Sequence, residues 1–354
     1  MIENKFRIRF GDDPQASSVT PGRVNLIGEH IDYNGGTVLP MALPISTHIA
    51  LSESDGKEDE IFSENFDDLA RLSMNSSPRN HWSDYASGAL QKARAIGLLR
   101  GGAKLYVQSD VPDGAGLSSS AALVVGVLRA ASKLAGVEIE DKDIALHAQA
   151  VENDFIGVPC GVMDQMAVAA APLGSAIALD TRDLSFELVP APTSHHIAVV
   201  HSGVMRKLDE GRYADRRREC ERGAAHFGTS ELAHLPVEQV RQIDQLPSPI
   251  DRRVRHVVRE QARVDKAVNA LRQDDIDAFG RILNEGHISL RDDFEVSTPE
   301  IDTLVDAAVK LGAVGARLTG GGFGGCIVAC VPHDKLAVWR AALGASFPNA
   351  RHIH

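Results

Sequence analysis

Apolar and polar positions fall into distinct blocks along this chain. AKLYVQS (103–109) is dense in Tyr, Val and Leu, which predicts a strand, and Pro112 closes it. Beyond a run of small residues, AALVVGVLRAASKLAG (121–136) is apolar on nearly every side and ends in Gly136. That pattern predicts a buried helix with a glycine cap. DIALHAQAVENDFIGV (143–158) sets Ile144, Ala148, Val151 and Phe155 on one stripe and predicts another helix. Earlier, the alternation in TVLPMALPISTHIALSES (37–54) predicts paired strands. From about residue 185 the style repeats, with a strand-like HHIAVVHSG and then a charged helical stretch, DEGRYADRRRECERGAAHFG. The polar segment QLPSPIDRR (245–253) leads into further helices, and GAVGARLTGGGFGGCIVACV with a short helix comes last. The expected class is α+β in two domains, residues 1–180 and 181–354, with the junction near 175–190.

Composition narrows the function classes. At 354 residues, 44% apolar and 24% charged, the chain suits one large or two ordinary globular domains. A formal charge of −11 disfavours nucleic acid or an anionic membrane as the main partner, while leaving room for a local nucleotide site. MIENKFRIRF has no apolar core, so no secretory signal is expected, and MAVAAAPLGSAIAL (166–179) is too short to span a bilayer. Cys160, Cys220, Cys326 and Cys330 lack zinc-ligand spacing and read as reduced thiols in a cytoplasm. The pair His195 and His196 has no second ligand pair and reads as a surface or strand position.

The small residues in SDVPDGAGLSSSAAL (109–123) sit where a strand turns into a helix. Unpaired backbone N–H groups and the positive end of the helix dipole favour an anion there, and Gly114 and Gly116 let a phosphate approach closely. The run is not a Walker A loop, since it has no Gly-Lys-Ser/Thr. Without that lysine, a triphosphate needs Mg²⁺, the helix dipole and other cations. Serine hydroxyls can ligate Mg²⁺, and a carboxylate should complete the site. Glu152 is a candidate; the plainer reading is a solvated helix charge.

Two other stretches carry chemistry. PGRVNLIGEHIDYNGG (21–36) gathers Arg23, Glu29, His30, Asp32, Tyr33 and Asn34, a donor and acceptor set that suits a polyhydroxylated ligand. Asp164 lies among apolar and small residues in PCGVMDQMAVAAA (159–171), so it should be functional or paired. The glycine run LTGGGFGG (318–325) spells Gly320-x-Gly322-x-x-Gly325, the dinucleotide fingerprint by letter. A strand-like CIVACV follows where that fingerprint needs a helix, and no acidic residue lies about twenty positions on. A hairpin fits better, either as plain structure or as close backbone packing against the phosphate turn.

Together these segments closely resemble the galactokinases, within the wider galactokinase, homoserine, mevalonate and phosphomevalonate (GHMP) kinase superfamily. GRVNLIGEHIDYNGGTVLP resembles the galactokinase signature, PDGAGLSSSAA the phosphate-binding motif and LTGGGFGGCIVA the third, glycine-rich motif. Weaker matches in VENDFIGVPCGVMDQ, GRYADRRRECE and HISLRDDFEVSTPEID extend the resemblance over almost the whole chain, in order. Ile31 departs from it, standing where the family usually has Thr.

The resemblance implies a two-domain GHMP-kinase-like fold with ligands bound between the domains, and phosphoryl transfer from ATP to the anomeric hydroxyl of a sugar. It places Asp164 at the catalytic aspartate that accepts the C1-hydroxyl proton, with Arg23 beside it to stabilise charge on the moving phosphoryl group. It places Glu29, His30, Asp32, Gly161 and Tyr213 at sugar-contacting positions, with Glu29 and His30 toward C6. Ser120 and Glu152 match Mg²⁺ ligands, Gly114, Gly116, Leu117, Ser118, Ser119 and Ser120 the nucleotide turn, and Trp82 would stack on adenine. The expected partners are a small-molecule sugar and ATP, in a monomer or weak dimer. The rivals are another sugar 1-kinase, acting on galacturonate, N-acetylgalactosamine or arabinose, and a galactose- and ATP-binding regulator without turnover. The intact Ser118–Ala122 run, Arg23 and Asp164 favour catalysis.

Overall fold

The Tyr, Val and Leu run predicted as a strand forms one, Gly102–Ser109, in a computed structural model that describes residues 1–204 and 210–354. The chain divides into two compact units, each assembled from separated segments. One comprises Met1–Arg23, Leu43–Asp113 and Leu117–Ala170; the other comprises Val24–Ala42, Gly114–Gly116 and Ala171–His354.

In the first unit, Gly102–Ser109 pairs antiparallel with Pro40–Ser54, from Thr47 opposite Ser109 to Ser54 opposite Gly102. On its other side it runs parallel to Glu58–Ser63, which pairs antiparallel with Asp68–Ser73. The predicted buried helix is Ser119–Ala135, closed by Gly136 in the left-handed conformation. It is apolar on most sides because most of it is covered: Ala121, Val124, Val125, Leu128 and Ala131 are inaccessible or nearly so, and Lys133 is exposed near its end. Helices Ser83–Ala95, Asp141–Ala150 and Met163–Ala170 pack on it. Gly126 lets strand and helix approach, since a Cβ there would lie 2.9 Å from Ile49 and 3.0 Å from the Thr20 hydroxyl. Each fully buried Val or Leu contributes about 1.5–3 kcal/mol relative to exposure.

Two predicted elements differ in form. The helix expected over 143–158 is α-helical only over Asp141–Ala150 and then widens into a π-helical turn, Val151–Ile156. Gly157 ends that turn at φ 88°, and its N–H reaches back five residues to the Glu152 carbonyl. Ile144, Ala148 and Val151 are buried as the stripe requires, and Phe155 is half-buried. Hydrophobic periodicity cannot separate one wide turn from a normal one. The 37–54 segment forms strands Thr37–Val38 and Pro40–Ser54, which do not pair with each other; Pro40–Ser54 pairs with Ala16–Asn25 as well as with Gly102–Ser109. Thr37–Val38 pairs with Asp180 and Leu179, since no turn between the two segments lets them fold back on each other.

The second unit carries a four-stranded antiparallel sheet in the order Gly315–Thr319, Cys326–Pro332, His195–His201, Arg351–His352. The glycine run is a hairpin loop, with Thr319 opposite Cys326. Helices Ile250–Arg272, Ile276–Asp292 and Pro299–Lys310 cover this unit's core. The last starts with a Thr298 cap that accepts from the Ile301 N–H, and Pro299 follows at the first helical position. All four cysteines are free thiols, and no helix among the described residues is long and apolar enough to cross a membrane.

Candidate active site

The serine run opens the Ser119–Ala135 helix. Gly114 (φ 67°), Gly116 (φ 75°) and Ser118 (φ 61°) take left-handed conformations, so the chain coils tightly before the helix begins. Ser118, at the N-cap, makes no side-chain cap bond, and its buried hydroxyl has no hydrogen-bond partner among the described residues. The helix start therefore keeps backbone donors uncapped by that side chain, as an anion site requires. Leu117 is buried and its carbonyl accepts the Arg23 N–H at 3.1 Å. The Ser119 hydroxyl donates to Asp113 at 3.3 Å. In the second unit the Cys326 thiol donates to the Ala115 carbonyl at 3.1 Å, so the glycine hairpin packs on the 114–116 backbone.

Within the first unit, four predicted residues come together. Arg23 grips Asp164 with both arms, Nε to Oδ1 at 2.8 Å and Nη2 to Oδ2 at 2.6 Å. The arginine side chain is 4% exposed and the aspartate 31%, so the cation is sealed while the carboxylate stays reachable. Ser120 Oγ lies 3.2 Å from Glu152 Oε2. Glu152 is buried rather than a solvated helix charge. Burial, and next the Asp164 charge, push its carboxyl up to about 7; bonds from Gln165 and Ser120 and the Arg23 charge work against them. Gly161 is half-buried in the loop before Met163–Ala170. The residue pattern alone missed Gln165, whose amide Nε2 donates to Glu152 Oε1 at 2.6 Å; its only signal was adjacency to Asp164.

Asp164 is bonded to the Arg23 guanidinium and Glu152 feels the same cation through space, so two acidic groups stand against one positive charge, which leaves room for another. Among the described residues no group of three or more His, Cys, Asp or Glu could hold a metal ion by itself. A hydroxyl and a carboxylate oxygen side by side are instead the donor set Mg²⁺ uses when substrate phosphates and water supply its remaining ligands.

In the second unit the signature segment is held by buried charge. Glu29 is buried, with Oε2 on Arg317 Nη2 and Oε1 accepting the Gly320 N–H at 3.3 Å. Burial raises the Glu29 carboxyl above its usual range, against the pull of Arg317. His30 sits at φ 63°, its Nε2 3.3 Å from the Gly321 carbonyl and its Nδ1 2.8 Å from the Tyr33 hydroxyl. In the neutral ring, Nε2–H donates to that carbonyl and Nδ1 accepts from the tyrosine. Tyr213 brings its ring to 5.3 Å from His30 and 5.9 Å from Tyr33, and Phe294 lies 4.6 Å from His30. Asp32 begins the short Asp32–Asn34 turn and its carbonyl accepts from the Thr181 hydroxyl at 2.9 Å. Ile31 is fully buried. The residue pattern named Glu29 and His30 and the family resemblance Tyr213, but neither named Arg317, Glu260, His256 or Phe294, which sit in ordinary-looking segments.

Trp82 is engaged with other residues of the first unit. Its indole N–H donates to Asp68 at 2.9 Å and its ring stacks on Phe66 at 5.5 Å with 23° between planes.

Residues 4–53 match the galactokinase galactose-binding signature, 84–171 the GHMP kinases N terminal domain and 267–349 the GHMP kinases C terminal domain. A galactokinase from Exiguobacterium sibiricum is 36% identical over 360 residues, spanning 98% of this chain and 92% of that protein. A Streptomyces coelicolor galactokinase is 41% identical over 340 residues, spanning 93% and 88%. The chain belongs to the galactokinase family. The crystal structure of Lactococcus lactis galactokinase complexed with galactose superposes with TM-score 0.93 at 32% identity, covering 99% of this chain and 96% of that one. Methanococcus jannaschii mevalonate kinase, at 21% identity and TM-score 0.71, shares the fold. This galactokinase-family chain thus has the two-domain GHMP-kinase fold, and kinases of this family use ATP.

Proposed function

We propose that the protein transfers the γ-phosphoryl group of ATP to the C1 hydroxyl of α-D-galactose, giving galactose 1-phosphate and ADP. The observation that carries the reading is the two-armed Arg23–Asp164 pair beside Glu152 and Ser120, which opens the phosphate-turn helix. Asp164 accepts the C1-hydroxyl proton as that oxygen attacks phosphorus. Arg23 orients the carboxylate and meets charge developing on the phosphoryl oxygens. The turn 114–120 cradles phosphate with backbone N–H groups. Ser120 and Glu152 hold Mg²⁺, which when bound neutralises phosphate charge. Glu29, His30, Asp32, Gly161 and Tyr213 contact the sugar, and Trp82 stacks on adenine. Four free thiols and a need for ATP suit a cytoplasmic setting. An ADP-release assay over a sugar panel, with the product's phosphate position determined, tests the reading. Turnover with galactose and phosphate at C1 is expected; no turnover with any sugar overturns it.

The metal assignment predicts that Ser120→Ala and Glu152→Gln raise the Mg²⁺ concentration for half-maximal rate and leave galactose affinity nearly unchanged. Because burial raises the Glu152 carboxyl to about 7, this group keeps its proton below that pH and must lose it to bind the ion. Half-saturating Mg²⁺ should therefore fall as pH rises through 7 in the unaltered protein, and Glu152→Gln should abolish that dependence. Loss of nucleotide-free galactose binding in either variant would instead put these residues in the sugar site.

Sugar choice follows from charge. The buried set around Glu29 is neutral as it stands, Glu29 and Glu260 against Arg317 and Arg263. A carboxylate at C6 would add a negative charge facing Glu29. At an effective dielectric near 20, like charges about 4 Å apart repel by about 4 kcal/mol before screening, and Arg317 on Glu29 cancels part of that. We expect kcat/KM for galactose to exceed that for galacturonate by at least about 10²-fold, or roughly 2.7 kcal/mol. Equal rates in side-by-side kinetics at neutral pH would overturn both the substrate and the placement of Glu29.

A further inference from the structure

Arg317 lies on strand Gly315–Thr319, is wholly inaccessible to solvent, and bridges two buried carboxylates. Its Nη2 binds Glu29, its Nη1 binds Glu260 Oε1 at 2.8 Å, and its Nε donates to the Leu318 carbonyl at 3.3 Å. Glu260, on helix Ile250–Arg272, uses the same Oε1 to accept the Gly28 N–H at 3.0 Å, while Oε2 takes Arg263 Nε at 2.7 Å. One helical turn earlier, His256 Nε2 donates to the Glu29 carbonyl at 3.1 Å. Burial works to raise the Glu260 carboxyl, but Arg317, Arg263 and His256 together hold it below the usual range.

These bonds converge on two tight backbone turns, one of which holds His30 in a left-handed conformation that a non-glycine residue rarely adopts. Gly28 (φ 104°) and His30 (φ 63°) are left-handed, as are Gly320 (φ 81°) and Gly322 (φ 82°) in the glycine hairpin. The first turn is fastened through Gly28 N–H and both ends of Glu29, and the second through Gly320 N–H on the Glu29 carboxylate. The ring of His30 then bridges the turns through the Gly321 carbonyl. Arg317 ties strand, helix and signature turn together through both carboxylates. A slot is kept for it: a Cβ at Gly286 would lie 2.6 Å from its Nη1.

We propose that Arg317 is a positioning residue for the sugar, holding the Gly28–His30 turn in register with the glycine hairpin so that it sets sugar affinity and C6 selectivity without touching a reacting atom. The proposal rests on the galactokinase reading of Glu29 and His30. A lysine cannot reproduce it, because an ammonium has no rigid fork to span two carboxylates.

Arg317→Lys is expected to raise the KM for galactose by about 10- to 100-fold, as small misplacements of binding groups do, with the KM for ATP within about 2-fold of the unaltered protein. Its preference for galactose over 6-deoxygalactose should shrink in parallel, since that ratio reads the C6 contact. Gly286→Ala displaces the guanidinium without changing any charge and should shift the same two quantities in the same direction. It carries the test alone should Arg317→Lys fail to fold by circular dichroism. Calorimetric galactose binding without nucleotide should weaken with KM. Wild-type galactose KM and C6 preference in the folded variants would overturn the proposal, and so would parallel losses for galactose and ATP, the mark of a purely structural role. Failure of the unaltered protein to phosphorylate galactose would instead overturn the functional reading.

Discussion

Asp164→Asn is expected to leave the protein folded and lower kcat by about 10²–10⁴-fold, the loss typical of removing a general base. Asparagine keeps the volume, but its amide nitrogen cannot accept a proton. The carboxamide also offers one acceptor to Arg23, which now uses two, Oδ1 and Oδ2. Some loss will therefore come from reorientation, and galactose binding measured by calorimetry separates the two. Binding within a few-fold of the unaltered protein with collapsed turnover assigns the effect to proton transfer. A folded variant with near-normal kcat would remove Asp164 from the reaction.

Arg23→Met should cost about 10²–10³-fold in kcat, the scale of deleting one preorganised donor to developing charge. Methionine fills much of the sealed space of a side chain only 4% exposed, so the fold should tolerate it better than alanine. Without the guanidinium, Asp164 and Glu152 lose the cation that now stands against their mutual repulsion. The deficit should thus shrink as Mg²⁺ is raised, because the ion can replace part of the missing positive charge. Arg23→Lys should recover a fraction of the rate, since the charge returns without the two-armed geometry. A folded Arg23→Met enzyme with unchanged kcat would show that the arginine serves packing alone.

How far these residues could be read in advance depended on how local their signals are. Ser118–Ser120 announced a helix start because small hydroxylated residues after a strand, ahead of a long apolar run, leave few alternatives. Asp164 stood out because a carboxylate among apolar residues needs a partner, and Arg23 is that partner. Glu152 was ambiguous. Its helical stripe is equally consistent with a solvated charge, and only the π-turn and its packing show the side chain buried. Arg317 gave no warning, since GARLTGG reads as a strand entering a glycine turn. Its importance comes from Glu29 and Glu260, which are 288 and 57 positions away.

By itself the sequence determined the alternation of elements, the α+β class, the strand-to-helix serine turn and the glycine hairpin, and it singled out Asp164 and the 21–36 segment. Those depend on propensity, hydrophobic period and turn stereochemistry over a dozen residues or fewer. Tertiary structure alone decided which strand pairs with which, that Thr37–Val38 joins Asp180 and Leu179 rather than Pro40–Ser54, and how separated segments alternate between the two units. It also decided which charges are buried and therefore obliged to pair. Desolvation turns an ordinary arginine into the bridge between two carboxylates and raises the Glu152 carboxyl to about 7. Burial is a property of the whole packed chain. No stretch of residues read in order contains it.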